Sequence, residues 1–349
     1  MRQNGIRRVT LQDIANETGY SVNTVSHALR GMSDLADDTA ERIREVARAM
    51  GYAPNQLASS LRSGRTRTLA LITGNMSNPF YGIMADTIQD AAAARNYSLL
   101  IMCSREQSQL ELNLVETALA HRVDGILLFP TNESLPTIER LITLKIPFVL
   151  MSRALDSVGS DCVISDEVLG AKLATQHLID QGRRKLGYFA HQRIVYCYER
   201  RLAGFIQACG EAGIPEADRR CFVYSEEGSG RRLDDDWIAT TGRLLTRWRE
   251  EGVDGIFVFC DDEAWHVQST IQQTPELQGW NVGIVGFDNI QGTQHFPFNL
   301  CSVDCGFQEM ARQGVELIRA RIHGDARPPQ TVINPVRLVC RGSCGSREE

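Results

Sequence analysis

The side chains best suited to do chemistry near the start of this chain are small polar groups on one short helix. Val22, Asn23, Ser26 and His27 fall in its first turns. An asparagine amide can pair bidentately with adenine and a valine can meet a thymine methyl, so these types suit reading base edges in a major groove. Thr10, Ser21, Thr24 and Arg30 are placed to hold phosphates, which orient a protein on a duplex without reading its sequence. The elements that must present them follow from local signals. Thr10-Leu-Gln-Asp13 fits a capping box, so a first helix starts at Leu11, places Leu11, Ile14, Ala15 and Thr18 on one side, and ends at Gly19, which accepts the left-handed backbone of a sharp turn. Ser21 caps a second helix over residues 22–29 with Val25, Ala28 and Leu29 inward. A third helix, about residues 37–50, repeats Ile43, Val46, Ala47 and Met50 on one face. Three short helices with a three-residue turn between the first two form a helix-turn-helix head for double-stranded DNA.

The charge of the whole chain conceals this head. The 349 residues are 43% hydrophobic and 23% charged with a net charge of -6, a globular composition that excludes disordered and fibrous classes and on its face argues against a polyanion partner. Residues 1–67, however, hold ten arginines against seven acids, a net of +3, which leaves -9 on the remainder. A small basic part on a large acidic body is the pattern of nucleic-acid contact by the minority part. The basic Met1 to Arg8 stretch leads into no apolar run, and no segment approaches the roughly 18 apolar residues of a membrane span, so a cytoplasmic protein without a membrane role is expected. The ten cysteines then read as reduced thiols. Cys301/Cys305 and Cys340/Cys344 share a CxxxC spacing with no histidine at ligand spacing, so neither a metal nor a cofactor is expected.

Past residue 67, strand-like runs at 68–73, 98–102, 125–129, 147–151, 185–189, 221–224, 255–259 and 282–285 alternate with amphipathic stretches such as 83–95 and 168–181. This is the signature of parallel sheets wound with helices. Arg122-Val-Asp-Gly-Ile-Leu-Leu-Phe129 returns as Gly252-Val-Asp-Gly-Ile-Phe-Val-Phe259, which points to two similar lobes with a small ligand between their strand ends. A single dinucleotide-binding enzyme would place GxGxxG after its first strand; Gly74-Asn-Met-Ser-Asn-Pro-Phe80 has no such cradle. P-loop, HExxH, GxSxG and CxxC patterns are also missing, so no enzyme is expected.

Val9-Thr-Leu-Gln-Asp-Ile-Ala15, Gly19-Tyr-Ser-Val-Asn-Thr-Val-Ser26, Gly51-Tyr-Ala-Pro-Asn55 and Ala58-x-x-Leu61 resemble, in order, the amino-terminal signature of the lactose-repressor/galactose-repressor family of bacterial transcription regulators. The resemblance implies an all-α helix-turn-helix head at 8–54, a hinge helix and linker at 55–67, and an α/β core of two doubly wound parallel-sheet lobes of periplasmic-binding-protein-like type I. The lobes would comprise residues 68–164 with 304–331, and 165–303 with 332–349. DNA contacts would be Thr10, Leu11, Ser21, Val22, Asn23, Thr24, Ser26, His27 and Arg30 in the head, and Asn55, Ala58 and Leu61 in the hinge, with Leu61 as a wedge in the minor groove. Ala36 departs from the family's capping serine; Asp37 and Asp38 can substitute in part through the helix dipole.

Carried over by motif, the effector contacts would be Phe80 and Tyr81, the Ser152-Arg153 pair, Arg201 at the head of Arg-Leu-Ala-Gly-Phe205, Asp261, and Asp288 in Gly286-Phe-Asp-Asn289. Trp265 is read as a packing residue, and Tyr196 and Arg193 as weaker candidates at the cleft border. The implied partners are operator DNA, a sugar or related small effector and a second copy of the chain; the ending 341–349 lacks apolar heptads, so a homodimer is expected. A solute-binding protein without a DNA role is the competing reading, and the basic head disfavours it.

Overall fold

Short-range capping sets the amino-terminal helices. The computed structural model describes residues 9–30, 35–52, 64–155, 158–190, 195–223, 235–290 and 299–345. Helix α1 (Leu11–Thr18) starts with the capping box in place: Asp13 N donates to Thr10 Oγ1 at 3.3 Å and Thr10 N to Asp13 Oδ2 at 2.8 Å. It ends on Gly19 at φ 76°. Helix α2 (Val22–Arg30) runs one residue beyond the expected end, and α3 (Asp37–Ala49) begins on Ala36 without a side-chain cap, its first turn carrying Asp37 and Asp38. Ile14, Val25, Ala28 and Ile43 are fully buried in one small core, with Leu29 only half-buried against it. Residues Met1–Thr66 form one compact unit and Arg67–Glu349 another. The hinge positions Asn55, Ala58 and Leu61, and Arg193, lie outside the described residues.

Among the described residues, the larger unit holds two six-stranded sheets. Strands β1 (Thr68–Thr73), β2 (Ser98–Cys103), β3 (Gly125–Leu128), β4 (Phe148–Met151) and β5 (Cys162–Ser165) are joined by β11 (Thr331–Asn334) in the order β11-β5-β4-β3-β1-β2, all parallel. Strands β6 (Leu186–Ala190), β7 (Arg219–Val223), β8 (Gly255–Val258), β9 (Gly283–Asp288) and β10 (Cys301–Asp304) are joined by β12 (Arg337–Val339) in the order β12-β10-β9-β8-β6-β7, parallel except for β12 on β10. β1, β3, β4 and β5 are buried almost end to end, as strands covered by helices on both faces must be.

Among the described residues, the chain passes from one lobe to the other three times: after Ser165, after Asp304 and after Asn334. The expected lobe boundary at 331/332 is corrected here, because all four residues of β11 pair with β5 and the first lobe extends to Asn334. β11 is a mostly exposed edge of four residues, too short and too polar to signal itself in the sequence.

The repeated Val-Asp-Gly-Ile has a structural cause in both lobes. Asp124 Oδ2 accepts from Arg67 N at 2.9 Å, just ahead of β1, and Asp254 accepts from Arg184 N and Lys185 N at 3.0 Å, just ahead of β6. The glycine after each aspartate gives room for a neighbour: a Cβ on Gly125 would stand 2.8 Å from Ile318, and one on Gly255 2.8 Å from Leu186. Asp254→Ala removes the acceptor of two backbone amides, and hydrogen bonds to a charged group contribute about 1.5–3 kcal/mol. A midpoint lowered by roughly 4–8 °C in thermal unfolding is the expected result, with partial recovery in Asp254→Asn.

No histidine lies near the paired cysteines in sequence, yet the fold places His177 beside Cys301, Cys340 and Cys344. The helix Glu167–Asp180 packs on β10 and β12, which brings together residues that the chain keeps far apart.

Candidate functional site

In the head, Ser21 fixes the entry to α2. Its Oγ accepts from Thr24 N at 3.1 Å and lies 2.8 Å from Thr24 Oγ1. The next two residues, Val22 and Asn23, are exposed, and Val22 keeps 37% of its surface open although it is apolar. Ser26 and His27 follow half-buried on the same helix. Arg30 folds back along α2, with Nε donating to Ser26 O at 3.0 Å and Nη2 to Ser26 Oγ at 2.9 Å. Thr10 is exposed but engaged in its capping box, and Leu11 packs against the head core. The α2 start thus carries the open polar and apolar groups, while Thr10, Leu11 and Arg30 are positioned by contacts of their own.

In the larger unit, the carboxyl ends of the parallel strands face one another across the lobes. Asn78 follows β1 and caps the helix Pro79–Ala93, accepting from Phe80 N at 2.9 Å, and Pro79 fits the first helical position where no amide is needed. Phe80 and Tyr81 therefore begin that helix at the cleft, edge-on to each other at 5.2 Å and both within 6.1 Å of Phe129. Phe80 is at once a wall of the cavity and a packing residue.

Arg153, just past β4, is buried in a network within the first lobe. Its guanidinium donates to Glu106 Oε2 and to Pro130 O at 2.8 Å, and to Tyr81 Oη at 2.8 Å, while Tyr81 donates to Glu106 Oε1 at 2.7 Å. Burial works to raise the Glu106 carboxyl, but the charge and hydrogen bonds of Arg153 and the Tyr81 hydroxyl bring it below the ordinary range. Ser152 lines the same wall and its carbonyl accepts from the Cys197 thiol at 3.7 Å.

Arg201 makes the matching network in the second lobe. Nε donates to Glu167 Oε2 at 2.5 Å, Nη1 to the Phe259 carbonyl and Nη2 to Asp288 Oδ1 at 3.5 Å, and the guanidinium carbon lies 3.6 Å from the centre of the Phe287 ring. Burial pushes Asp288 up to about 7 although Arg201 opposes it, and burial likewise raises Glu167. Oε1 of Glu167 is buried without a partner among the described residues.

Asn78, Phe80, Tyr81, Ser152, Arg153, Cys197, Arg201, Phe259, Cys260 and Asp288 line a cavity of about 50 Å³. A roomier one of about 440 Å³ adjoins it through Arg153 and includes Thr131, Asn132, Tyr196, Glu199 and Arg200. The larger volume suits a small organic ligand, which needs roughly 300 Å³ or more; the smaller is what the two salt-bridged networks leave between them. Two lining residues, Ser152 at φ 65° and Asp288 at φ 102°, have a left-handed backbone, as does Glu106, the partner of Arg153, at φ 58°. Non-glycine residues adopt such angles at a cost of order 1 kcal/mol or more, which clusters at sites where side-chain direction matters.

Asp261 is corrected: it does not line either cavity. It is fully buried at the start of the helix Asp261–Gln273, its Oδ1 accepting from Ser302 Oγ at 2.6 Å and its Oδ2 from Ile290 N at 3.0 Å. Both oxygens are committed to holding β10 and the end of β9. Trp265 packs against the core as expected, and Tyr196 lines the larger cavity with Arg200 4.4 Å over its ring. Sequence reasoning missed Glu106 and Glu167, the partners of the two arginines. Both sit just past a strand end, the same placement that singled out the others.

Comparison with known proteins agrees with this layout. Residues 10–55 match the model of bacterial regulatory proteins of the lacI family, residues 66–227 that of periplasmic binding proteins and the sugar binding domain of the LacI family, and residues 175–344 that of a periplasmic binding protein-like domain. The chain is 25% identical over 336 residues to the HTH-type transcriptional repressor PurR of Mannheimia succiniciproducens, covering 96% of this chain and 98% of that protein. It is 27% identical to the HTH-type transcriptional regulator GalR of Salmonella typhimurium, covering 96% of this chain and 95% of that one. Among solved structures, the lac repressor dimer bound to operator and the anti-inducer ONPF superposes with a TM-score of 0.77 at 19% identity, covering 97% of this chain and 99% of that chain.

Proposed function

Because this chain belongs to the lacI family of bacterial regulatory proteins, we propose that it is a repressor whose grip on operator DNA is set by a sugar-like effector held between the two core lobes. The observation that carries this reading is the pairing of a separate head, with Val22 and Asn23 open at the start of α2, with a core whose strand ends converge on a lined cleft. It works as a homodimer in the cytoplasm and catalyses no reaction. Phe80, Tyr81, Ser152, Arg153, Arg201 and Asp288 are the effector wall, and Thr131, Asn132 and Tyr196 join them.

The charge balance favours a neutral ligand. Arg153 is neutralised by Glu106, and Arg201 by Glu167 and Asp288, so a dianion would find no uncompensated cation in these two networks. In a thermal-shift screen of sugars, polyols and sugar acids, a neutral polyhydroxylated compound is expected to raise the melting temperature, since ligand at 100 times its Kd adds about 2.7 kcal/mol. The same compound should change operator affinity in fluorescence anisotropy. A screen in which only dianions act, or in which the stabilising compound leaves operator affinity unchanged, refutes the reading.

Acidity should tune the site. A carboxylate accepts two hydroxyls only when ionised, and Asp288 is pushed up to about 7. Effector affinity measured by calorimetry is therefore expected to fall by about tenfold between pH 8 and pH 6. Constant affinity across that range would remove Asp288 from contact. The folded chain also holds this proton more tightly than the unfolded one, whose carboxyl titrates near 3.8; the associated stability is full below that value and is lost as the pH rises through about 7.

A further inference from the structure

We propose that the second lobe carries a structural site for a thiophilic divalent cation of the zinc class, made by Cys301, Cys340, Cys344 and His177. The site lies at the end of the sheet opposite the cleft, because Cys301 is the first residue of β10 whereas the cleft residue Asp288 is the last of the parallel strand β9. Antiparallel pairing of Ser302 with Val339 brings Cys340 next to Cys301. The turn that follows returns Cys344 to the same corner, and His177 reaches it from the last turn of the helix Glu167–Asp180.

The geometry is that of a closed tetrahedral site. Cys301 Sγ and Cys340 Sγ are 3.6 Å apart, Cys340 Sγ and Cys344 Sγ 3.7 Å, and one donor atom from each of the four residues lies within 4.8 Å of every other. Ligands at about 2.3 Å for sulfur and about 2.0–2.1 Å for nitrogen around a tetrahedral ion stand roughly 3.4–3.8 Å from each other, so a small contraction completes the shell. Three cysteines and one histidine form a common donor set for structural zinc, with no position left open for chemistry.

Two independent features point to an ion rather than to incidental thiols. The ring of His177, with Nε2 buried, has the Cys301 and Cys344 sulfurs as its hydrogen-bond neighbours, contacts that bonds to a shared metal would replace. The corner is also held in shape by bonds outside the four donors. Ser343 Oγ accepts from Cys301 N at 2.7 Å and donates to Ile284 O at 2.6 Å, and Ser343 O accepts from Ile284 N at 2.8 Å. Arg341 N donates to Cys301 Sγ at 3.2 Å, the kind of outer contact that supports a metal-bound thiolate. Arg183, whose guanidinium donates to Cys344 O at 3.3 Å, supplies positive charge beside a site that three thiolates and a divalent ion would leave at a net of minus one. Cys340 is exposed and gives the ion its entry. Binding releases the thiol protons to solvent and ties β12, reached only after the third crossing, to β10 and to the helix Glu167–Asp180.

The full-length protein, purified with reductant after growth in zinc-supplemented medium, is expected to carry one zinc per chain by mass spectrometry of the metals. The stripped protein should take up one cobalt(II) with thiolate-to-metal charge-transfer and tetrahedral ligand-field bands. Cys340→Ser and His177→Gln should each weaken cobalt binding by at least about tenfold. Chelation should lower the wild-type melting temperature by about 5 °C and leave that of Cys340→Ser/Cys344→Ser unmoved. If the serine variants fail to fold, His177→Gln, which keeps every thiol, decides the matter through its cobalt affinity. The proposal is overturned by reduced wild-type protein with no stoichiometric zinc and no tetrahedral cobalt spectrum. It is equally overturned by unchanged cobalt affinity in His177→Gln, or by a disulfide among the three cysteines in protein kept from oxidants.

Discussion

Removal of residues 1–66 is expected to abolish operator recognition, a loss of at least about 10³-fold in affinity at fixed salt, while the effector-induced thermal shift of the remaining chain persists. The gap between specific and non-specific DNA binding is typically 10³ to 10⁷, and the truncated chain would lose the non-specific part as well. Each unit has a core of its own: Ile14, Val25, Ala28 and Ile43 in the head, and the clusters around the two sheets in the remainder. The cut falls between them, so the fold of residues 67–349 should survive it. Charge acts in the same direction, because the arginines of the head go and an acidic body stays, which repels a phosphate backbone. Within the head, Asn23→Ala is the graded counterpart. One bidentate base contact discriminates by about 1–3 kcal/mol, so specific binding should weaken roughly ten- to hundredfold while non-specific binding holds. Operator affinity retained by the truncated chain in anisotropy titrations would overturn the assignment of the head.

Arg201→Met is the second large effect: a loss of about 3–5 kcal/mol of stability and of effector binding at neutral pH. The guanidinium is buried between Glu167 and Asp288, held to the Phe259 carbonyl and packed on the faces of Phe259 and Phe287. Deleting one partner of a buried ion pair leaves the others uncompensated, which is where the cost arises. Burial already raises both carboxyls, and without the arginine they rise further. The variant should therefore take up protons in the folded state and recover part of its stability as the pH falls from 8 to 6, the direction expected for groups whose folded pKa is raised. Urea titrations at the two pH values measure this directly. Arg201→Lys should not rescue binding, because an ammonium cannot bridge Glu167, Asp288 and a carbonyl in one plane. Wild-type stability in Arg201→Met at pH 8 would mean that the network carries little energy.

How far the sequence could be read depended on the range of the interactions involved. The capping box at Thr10 and Asp13, the left-handed Gly19 and the inward Ile14, Ala15 and Val25 are decided within a few residues, so the head was legible almost to the residue. The long buried strands announced themselves by apolar runs. β5, β10, β11 and β12 did not, because polar residues cut the apolar run of each to three or fewer, so each is defined by its neighbour in the sheet rather than by its own composition. The Val-Asp-Gly-Ile repeat indicated two lobes correctly, but why it recurs became visible only with the amides that Asp124 and Asp254 hold.

The acids show the limit most plainly. Asp261 and Asp288 both follow apolar strand residues, and nothing in their flanks distinguishes them. The first is drawn under β9 by Ser302 and Ile290, whereas the second is turned to the cleft by a backbone at φ 102°. Glu106 and Glu167 share the strand-end placement of the other cleft residues, but became partners of Arg153 and Arg201 only through the fold.

From its sequence alone this protein was determined to be a basic helix-turn-helix head on an acidic two-lobed α/β body, because helix caps, periodicity and charge are properties of neighbouring residues. Which carboxylates face the cleft, which arginines they neutralise, and that His177 meets three cysteines near the end of the chain were decided by tertiary structure. Those contacts join residues far apart in the chain, and only the sheet order and the three crossings bring them together.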